Sequence, residues 1–162
     1  RGDPAPRARG RGMALLPWPR LHSAFAVEQA VTSEQSKLVC LRIGNDTDRA
    51  CMEMDRVLQD AKNDPAAGQL EEACAIYVVA ASDVPECVQE YQLAAPEPLA
   101  LVFYFRGALL ELDLGGARHK GITWALGSHT EFLQLVQACV RGVQEGRGVI
   151  VTPKDYSMQG GY

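Results

Sequence analysis

A carboxylate and a thiol lie close together near residue 50, and both could take part in chemistry. Asp48 and Cys51 fall at the junction between a polar hinge and an apolar periodic stretch. A thiol in the first turn of a helix meets the positive end of the helix dipole, which lowers its pKa and favours the reactive thiolate. The carboxylate of Asp48 opposes that shift, because a nearby negative charge disfavours a second one. Two interpretations are therefore open for Cys51: a single reactive thiol, or a thiol that only packs in the core.

A buried strand and an amphipathic helix would hold this pair in place. The run 38–44 is apolar, partly β-branched, and bounded by a Gly-Asn-Asp cluster, which predicts a buried strand. Apolar residues then recur at helical spacing over 48–62, with Cys51 on the apolar side. Asp48 suits the N-cap, where its carboxylate can accept backbone N–H bonds. A strand that leads by a tight turn into a helix directs backbone donors at one point, where α/β proteins often keep their chemistry.

The other segments extend this pattern to an α/β fold. The sequence predicts helices over 21–33 and 84–93 and from residue 128, and strands over 74–79, 99–105 and 109–114. The order αβαβαββα, parallel first and then a hairpin, is typical of the thioredoxin-like fold, a central four-stranded mixed sheet flanked by helices. We expect this domain over 13–145, a disordered basic extension over 1–12, and a C-terminal interaction tail over 146–162.

Charge and composition narrow the classes of function. Residues 1–12 hold four arginines and one aspartate, a net charge of +3. The whole chain carries a net charge of −4, so residues 13–162 carry −7. An acidic folded part argues against a broad nucleic-acid-binding face. No apolar run approaches the roughly 18 residues of a membrane span. The five cysteines show neither a Cys-x-x-Cys pair nor zinc spacing, which favours small buried thiols in a reduced compartment.

The thioredoxin signature Trp-Cys-Gly-Pro-Cys can be placed on the hinge by aligning its second cysteine with Cys51. The attacking cysteine then falls on Asp48, and a carboxylate cannot perform disulfide exchange. Pro98 precedes the most hydrophobic strand, at the place of the cis-proline that faces the active turn in thioredoxin-like folds. We interpret Asp48, Cys51 and Pro98 as a degenerate redox turn with no catalytic residue. Packing is the favoured role of Cys51, and a structural role is favoured for Pro98.

The segment after the last helix is the second candidate site. The apolar run 149–151 would pack back on the sheet or pair with a partner. Trp124 could anchor an interface, or pack the last helix on the sheet. The candidate partner-binding residues are Trp124, Arg147, Val149, Val151, Pro153, Lys154, Asp155 and Tyr156. The three histidines, His22, His119 and His129, have no partner set for a metal or a triad, so we expect neither a metal nor a cofactor.

A set of short motifs runs in order along most of the chain. They are Leu21-His22, Val27-Glu28-Gln29-Ala30, Cys51-Met52-Glu53-Met54-Asp55, Ala75-Ile76-Tyr77, Val84-Pro85, Asp113-Leu114-Gly115, Ile122-Thr123-Trp124-Ala125, Arg141-Gly142, Gly146-Arg147-Gly148 and Pro153-Lys154-Asp155-Tyr156-Ser157. The last motif, Pro-Lys-Asp-Tyr-Ser, is specific for a single family when it follows a thioredoxin-like order of elements that lacks a Cys-x-x-Cys pair. In these motifs the chain closely resembles the spliceosomal thioredoxin-like DIM family, also called the fifteen-kilodalton protein of the U5 small nuclear ribonucleoprotein.

The resemblance implies a non-enzymatic structural subunit of the U4/U6.U5 tri-snRNP that acts in pre-mRNA splicing in the nucleus. Its partners would be the large scaffold and helicase subunits, with snRNA contacted mostly indirectly, and no membrane or small-molecule substrate. The family has an aspartate at the position of Asp48. It often has a cysteine where this chain has Leu99, so the resemblance implies no family-style disulfide from Cys51 to that site.

Two other interpretations stay open. A monothiol thioredoxin-like redox protein would use Cys51 alone. A sheet-edge peptide-binding module outside splicing would use the tail. Deletion of residues 147–162 tests the tail: weaker partner binding with an intact fold indicates an interaction arm, and a large loss of thermal stability indicates core packing.

Overall fold

Seven strands and five α-helices lie within residues 16–158, the part of the chain that this computed structural model describes. The extension over 1–12 and the final residues 159–162 lie outside the described residues. The elements are β1 (Arg20–Leu21), α1 (Ala24–Ser33), β2 (Leu38–Gly44), α2 (Arg49–Asn63), a 3-10 turn (Pro65–Ala67), α3 (Leu70–Ala73), β3 (Cys74–Ala80), α4 (Pro85–Glu90), β4 (Leu99–Phe105), β5 (Ala108–Asp113), β6 (Arg118–His119), α5 (His129–Gln144) and β7 (Val149–Val151). None of the described helices is long and apolar enough to cross a membrane.

Four long strands form the centre of a mixed sheet in the order β3-β2-β4-β5. β2 pairs in parallel with β3, and β4 runs antiparallel to β2. The hairpin from β4 to β5 turns at Arg106 and Gly107, whose φ angles are +53° and +82°. Glycine adopts such angles without steric cost, which lets the chain reverse tightly. The predicted thioredoxin-like arrangement, parallel first and then a hairpin, is confirmed.

Each face of the sheet carries its own part of the core. Side chains alternate along β2, so Leu38 and Cys40 pack with residues of α2 and α5, whereas Val39 and Leu41 pack with residues of α1 and α4. All residues of β2 are buried. A strand covered on both faces needs such a continuous apolar run, which is why a single arginine within it, Arg42, stands out.

The first helix begins later than the sequence predicts. Arg20 and Leu21 form β1, which pairs in parallel with β3. Helix α1 then begins at Ala24, because the Ser23 hydroxyl accepts the Ala26 N–H at 3.1 Å and caps the helix. A strand of two residues has no measurable periodicity, so the hydrophobic pattern could not separate it from the helix that follows.

The tail joins the sheet rather than following a completed core. β7 pairs in parallel with β5, with Val149 opposite Glu111 and Val151 opposite Asp113. Ile150 is only 2% exposed and packs in the larger core cluster. It lies so near α5 that a Cβ on Gly142 would clash with the Ile150 Cδ1. The core therefore continues past residue 145, the limit expected from the sequence. A partner-binding role of this segment stays a prediction.

Candidate functional site

The turn between β2 and α2 leads from a buried strand directly into the first turn of a helix. The Asp48 N–H donates to the Asn45 carbonyl at 3.0 Å, and Asp48 is the N-cap of α2, as predicted. The expectation that its carboxylate accepts backbone N–H bonds is wrong, because no side-chain cap hydrogen bond forms. Its Oδ2 is instead buried and has no hydrogen-bond partner within the described residues. Such an orphaned acceptor costs about 1–3 kcal/mol, so Asp48 does not stabilise the turn as a cap would.

Cys51 is buried beneath this turn, with 0% of its surface exposed. Burial raises the pKa of the thiol to about 12, and the negative charges of Asp55, Asp46 and Asp48 act in the same direction. The nearby Arg42 guanidinium acts to lower this pKa but does not overcome burial. The thiol is therefore protonated at neutral pH and out of reach of a substrate disulfide.

Cys51 lies against the end of β2 and the start of β4. A Cβ on Gly44 would lie 2.7 Å from the Cys51 Sγ and 3.3 Å from the Pro98 carbonyl oxygen. Glycine at position 44 therefore permits this close approach, and the structure brings Cys51 and Pro98 together as expected of a redox turn. The sequence left the isomer of the bond before Pro98 open. Among the described residues the cis peptide bond is Ala95–Pro96.

A buried arginine that the sequence analysis did not single out lies beneath the turn. Arg42 has 0% side-chain exposure and donates from Nε and Nη2 to both carboxylate oxygens of Asp55, at 2.8 and 3.1 Å. Its Nη2 also donates to Asp46 Oδ1 at 2.7 Å, and its Nη1 donates to the Gly44 carbonyl at 2.9 Å. Arg20 donates to the other Asp46 oxygen at 2.8 Å. These bonds connect β1, β2, the turn and α2.

Burial and ion pairing shift the pKa values of the groups in this network in opposite directions. Burial raises the pKa of Asp55, and the attraction of Arg42 does not reverse that shift. Burial also acts to raise the pKa of Asp46, but the hydrogen bond and charge of Arg42, with help from Arg20, bring it below its ordinary value. Burial acts to lower the pKa of Arg42, whereas Cys51 and the two aspartates raise it overall. The guanidinium thus stays charged and holds the turn through its hydrogen bonds to the Gly44 carbonyl and to Asp46.

The tail packs on Trp124 through Tyr156. Their ring centroids are 5.3 Å apart with the planes tilted by 54°, a favourable arrangement for aromatic pairs. Tyr156 is 5% exposed, and its N–H donates to the Leu114 carbonyl at 2.7 Å. Burial raises the pKa of Tyr156 to about 12, and Glu131 adds to the shift. Trp124, which is half-buried, therefore packs against the tail itself.

Polar bonds hold the tail on α5 and β5. The Lys154 Nζ donates to Glu131 Oε2 at 2.6 Å and lies 5.5 Å from the centre of the Tyr156 ring. The Thr152 N–H donates to the Asp113 carbonyl at 3.1 Å. Val149 is half-buried. The remaining predicted partner-binding residues are exposed and form what we call the tail surface: Arg147, Val151, Pro153, Lys154 and Asp155.

The five cysteines and two of the three histidines are buried or paired. All five cysteines are free and buried: Cys40, Cys51, Cys74, Cys87 and Cys139. Two of the histidines contact aspartates, His22 with Asp83 at 3.0 Å and His129 with Asp64 at 2.9 Å. Within residues 16–158 no group of three acidic, histidine or cysteine side chains could hold a metal ion.

The sequence matches the family described as Mitosis protein DIM1 over residues 17–156. That span includes the turn, the Arg42 network and the tail as far as Tyr156. The chain belongs to this family.

The DIM1-family assignment agrees with individual relatives. The chain is 33% identical to Mitosis protein dim1 of Schizosaccharomyces pombe over 144 residues, 89% of this chain and 96% of the relative. It is 30% identical to Spliceosomal protein DIB1 of Eremothecium gossypii over 139 residues, 86% of this chain and 92% of the relative. Among solved structures, chloroplastic thioredoxin z is similar with a TM-score of 0.55 and 11% identity, covering 79% of this chain and 97% of that one. At such low identity this last likeness shows the fold alone.

One signal for the missed network is present in the sequence of this DIM1-family chain. Arg42 interrupts the apolar strand 38–44 on the side that faces α2, and Asp55 follows on the first half of that helix. A buried arginine requires a carboxylate partner, so the strand alone predicts that such a partner exists. Which carboxylate it is depends on the tertiary packing.

Proposed function

We propose that this chain is a non-enzymatic structural subunit of the U4/U6.U5 tri-snRNP that acts in pre-mRNA splicing through protein–protein contacts in the nucleus. Membership of the DIM1 family supports this proposal, because a relative that matches over most of both chains is named a spliceosomal protein. The proposed partners are the large scaffold and helicase subunits of the U5 and tri-snRNP particles. Contact with snRNA would be mostly indirect.

The state of the degenerate redox turn is the observation that carries the non-enzymatic part. A thioredoxin-like fold is present, but Asp48 replaces the attacking thiol and Cys51 is fully buried. A pKa near 12 leaves Cys51 with almost no thiolate at neutral pH. What remains of an active turn is a junction held by the ion pairs of Arg42 with Asp46 and Asp55.

The tail surface is our candidate for a partner contact. It combines an exposed valine, Val151 at 64%, with charged and proline side chains of mixed sign. The segment is anchored on the core by the buried side chains of Ile150 and Tyr156. A segment anchored in this way loses less conformational entropy when a partner binds than an unanchored tail does.

Affinity purification from nuclear extract tests the mode of contact. Tagged chain is captured, the sample is divided, and one half is treated with ribonuclease before washing. We expect the large scaffold and helicase subunits in both halves, because protein contacts survive loss of RNA. Recovery of those subunits only from the untreated half would contradict the protein-contact mode.

A reductase assay tests the alternative of a monothiol redox protein. Purified chain is incubated with insulin or with a glutathione-linked disulfide, beside a Cys51→Ser variant. We expect no turnover above background from either protein. Turnover by the native chain that is lost in Cys51→Ser would overturn the non-enzymatic proposal.

A further inference from the structure

A cleft beside β6, distinct from both the turn and the tail surface, has the character of a binding site. Its volume is about 400 Å³. Its lining includes the basic run Arg118, His119 and Lys120, together with Tyr91 and Glu111. We call it the basic cleft.

A local split of the sheet builds the basic cleft. β5 pairs with β4 only as far as Leu110. Beyond that point the segment 118–122 pairs with β5 at one end and with β4 at the other. His119 pairs with Leu112 of β5. Ile122 exchanges two backbone hydrogen bonds with Leu101 of β4, at 2.8 and 2.9 Å. The basic run is therefore held by backbone pairing at both ends rather than on a free loop.

Gly121 makes this insertion possible. A Cβ at that position would approach the Leu101 carbonyl oxygen and the Val102 Cγ1 to 2.6 Å each. Real Cβ atoms do not come so near a backbone oxygen, so only glycine lets the segment lie this close to β4. The preceding basic side chains are positioned by the same close contact.

The lining of the basic cleft holds two cations, Arg118 and Lys120, against one carboxylate, Glu111, a net charge of +1 on a folded part that is acidic overall. Residues 13–162 carry −7, yet no aspartate or glutamate occurs between Asp113 and Glu131. Arg118 and Lys120 lie in that interval, with side chains 69% and 47% exposed. A local positive patch on an acidic surface attracts a short anionic segment and orients it as it approaches.

The two cations are only loosely held by their neighbours. The Arg118 Nη1 lies 3.7 Å from Glu111 Oε1, and the Lys120 Nζ lies 4.0 Å from Glu90 Oε2. Both separations exceed the range of a charge-assisted hydrogen bond, about 2.7–2.9 Å. Lys120 does donate to the Glu90 carbonyl at 3.1 Å, which leaves two of its three N–H donors. Arg118 donates no hydrogen bond within the described residues, so most of its donors are available to a ligand.

We infer that the basic cleft binds an extended acidic peptide segment of a partner protein, whose side-chain anions accept hydrogen bonds from Arg118 and Lys120. Carboxylate and phosphoserine side chains share this chemistry. An RNA strand fits less well, because it needs a longer track of cations and faces for base stacking. Here the track is only two cations long, Arg118 and Lys120, and the Tyr91 ring is only 9% exposed.

Fluorescence anisotropy with purified full-length chain tests this inference. The probes are a labelled peptide of alternating glutamate and glycine, its phosphoserine counterpart, and a labelled oligouridylate of equal net charge. We expect both peptides to bind more tightly than the RNA, and binding to weaken as sodium chloride is added. The double variant Arg118→Glu/Lys120→Glu should bind the peptides about tenfold or more weakly, since attraction becomes repulsion at two points.

A matched control separates the cleft from overall charge. Arg49→Glu/Arg56→Glu changes the net charge equally on the exposed side of α2, and it should bind the peptides nearly as well as the native chain. Circular dichroism and thermal melting establish that each variant is folded. Tighter binding of RNA than of either peptide, or equal loss in both double variants, would overturn the inference. The measurement uses purified protein, so its outcome is independent of whether the chain co-purifies with the tri-snRNP.

Discussion

At the scale of single residues, the surroundings of Cys51 decide what its thiol can do. A position in the first turn of a helix ordinarily favours a thiolate. In this chain burial dominates, and the adjacent Arg42 does not compensate for it. The sequence gives the position but not the depth of the side chain. The sequence is therefore compatible with both a reactive and an inert thiol at Cys51.

Alkylation with iodoacetamide at neutral pH checks this state of Cys51. We expect negligible modification of the native protein, because the thiol is buried and its pKa is about 12. In denaturant all five cysteines should react. Free glutathione in the same buffer serves as the positive control. Peptide mass spectrometry that finds Cys51 modified quickly in the native protein would contradict this account of the turn.

Arg42 gives a second prediction at the residue scale. Arg42→Met leaves the Asp55 carboxylate largely buried without its cation, so we expect the free energy of unfolding to fall by about 3 kcal/mol or more. Arg42→Met/Asp55→Leu should recover part of that loss, because no unpaired charge then faces the core. Urea denaturation measures both. An equal loss of unfolding free energy in the single and double variants would mean that the unpaired Asp55 charge is not the cause of the destabilisation.

At the scale of elements, β7 places a buried and an exposed side chain at adjacent positions. Ile150 points into the core at 2% exposure, and Val151 points outward at 64%. The alternation follows from the period of a strand. Sequence alone predicted that this apolar run either packs or binds a partner, and could not choose, because both outcomes need the same residue types.

Two truncations separate these roles. Ile150→Ala removes buried methylene and methyl groups beside α5 and should lower the free energy of unfolding by about 2–4 kcal/mol. Val151→Ala should change it by less than about 0.5 kcal/mol but should weaken co-purification of the tri-snRNP if the tail surface is a contact. Thermal or urea unfolding gives the first result. Equal stabilities for the two variants would show that β7 does not pack as described.

The contact between the tail and α5 predicts a dependence on pH. Burial acts to raise the pKa of Glu131, but the Lys154 ammonium and the Gly127 N–H hold it below the ordinary value of 4.5. Glu131 therefore stabilises the fold fully above that value, and the contribution is lost as pH falls through the lower folded-state pKa. The difference in unfolding free energy between native chain and Glu131→Gln should be steady near neutral pH and shrink in acid. A difference that is unchanged at every pH would contradict this.

At the scale of the whole molecule, long periodic elements could be predicted and short ones could not. The central strands and helices α2 and α5 each bury several side chains, and that burial imposes a pattern on the sequence. β1, β6 and β7 contain two or three residues, so their pairing depends on distant partners. The Arg42 network was missed for the same reason, since its members come from β1, β2, the turn and α2.

The family assignment and the degenerate turn together support one account, in which this thioredoxin-like fold serves as a structural part of the spliceosome without redox chemistry. The RNA recovered with the tagged chain tests that claim most directly. Native chain and Cys51→Ser should bring down U4, U5 and U6 snRNA to the same extent, because the buried thiol takes no part in assembly. Absence of these RNAs from the native sample would contradict the account, and so would their loss from a folded Cys51→Ser variant.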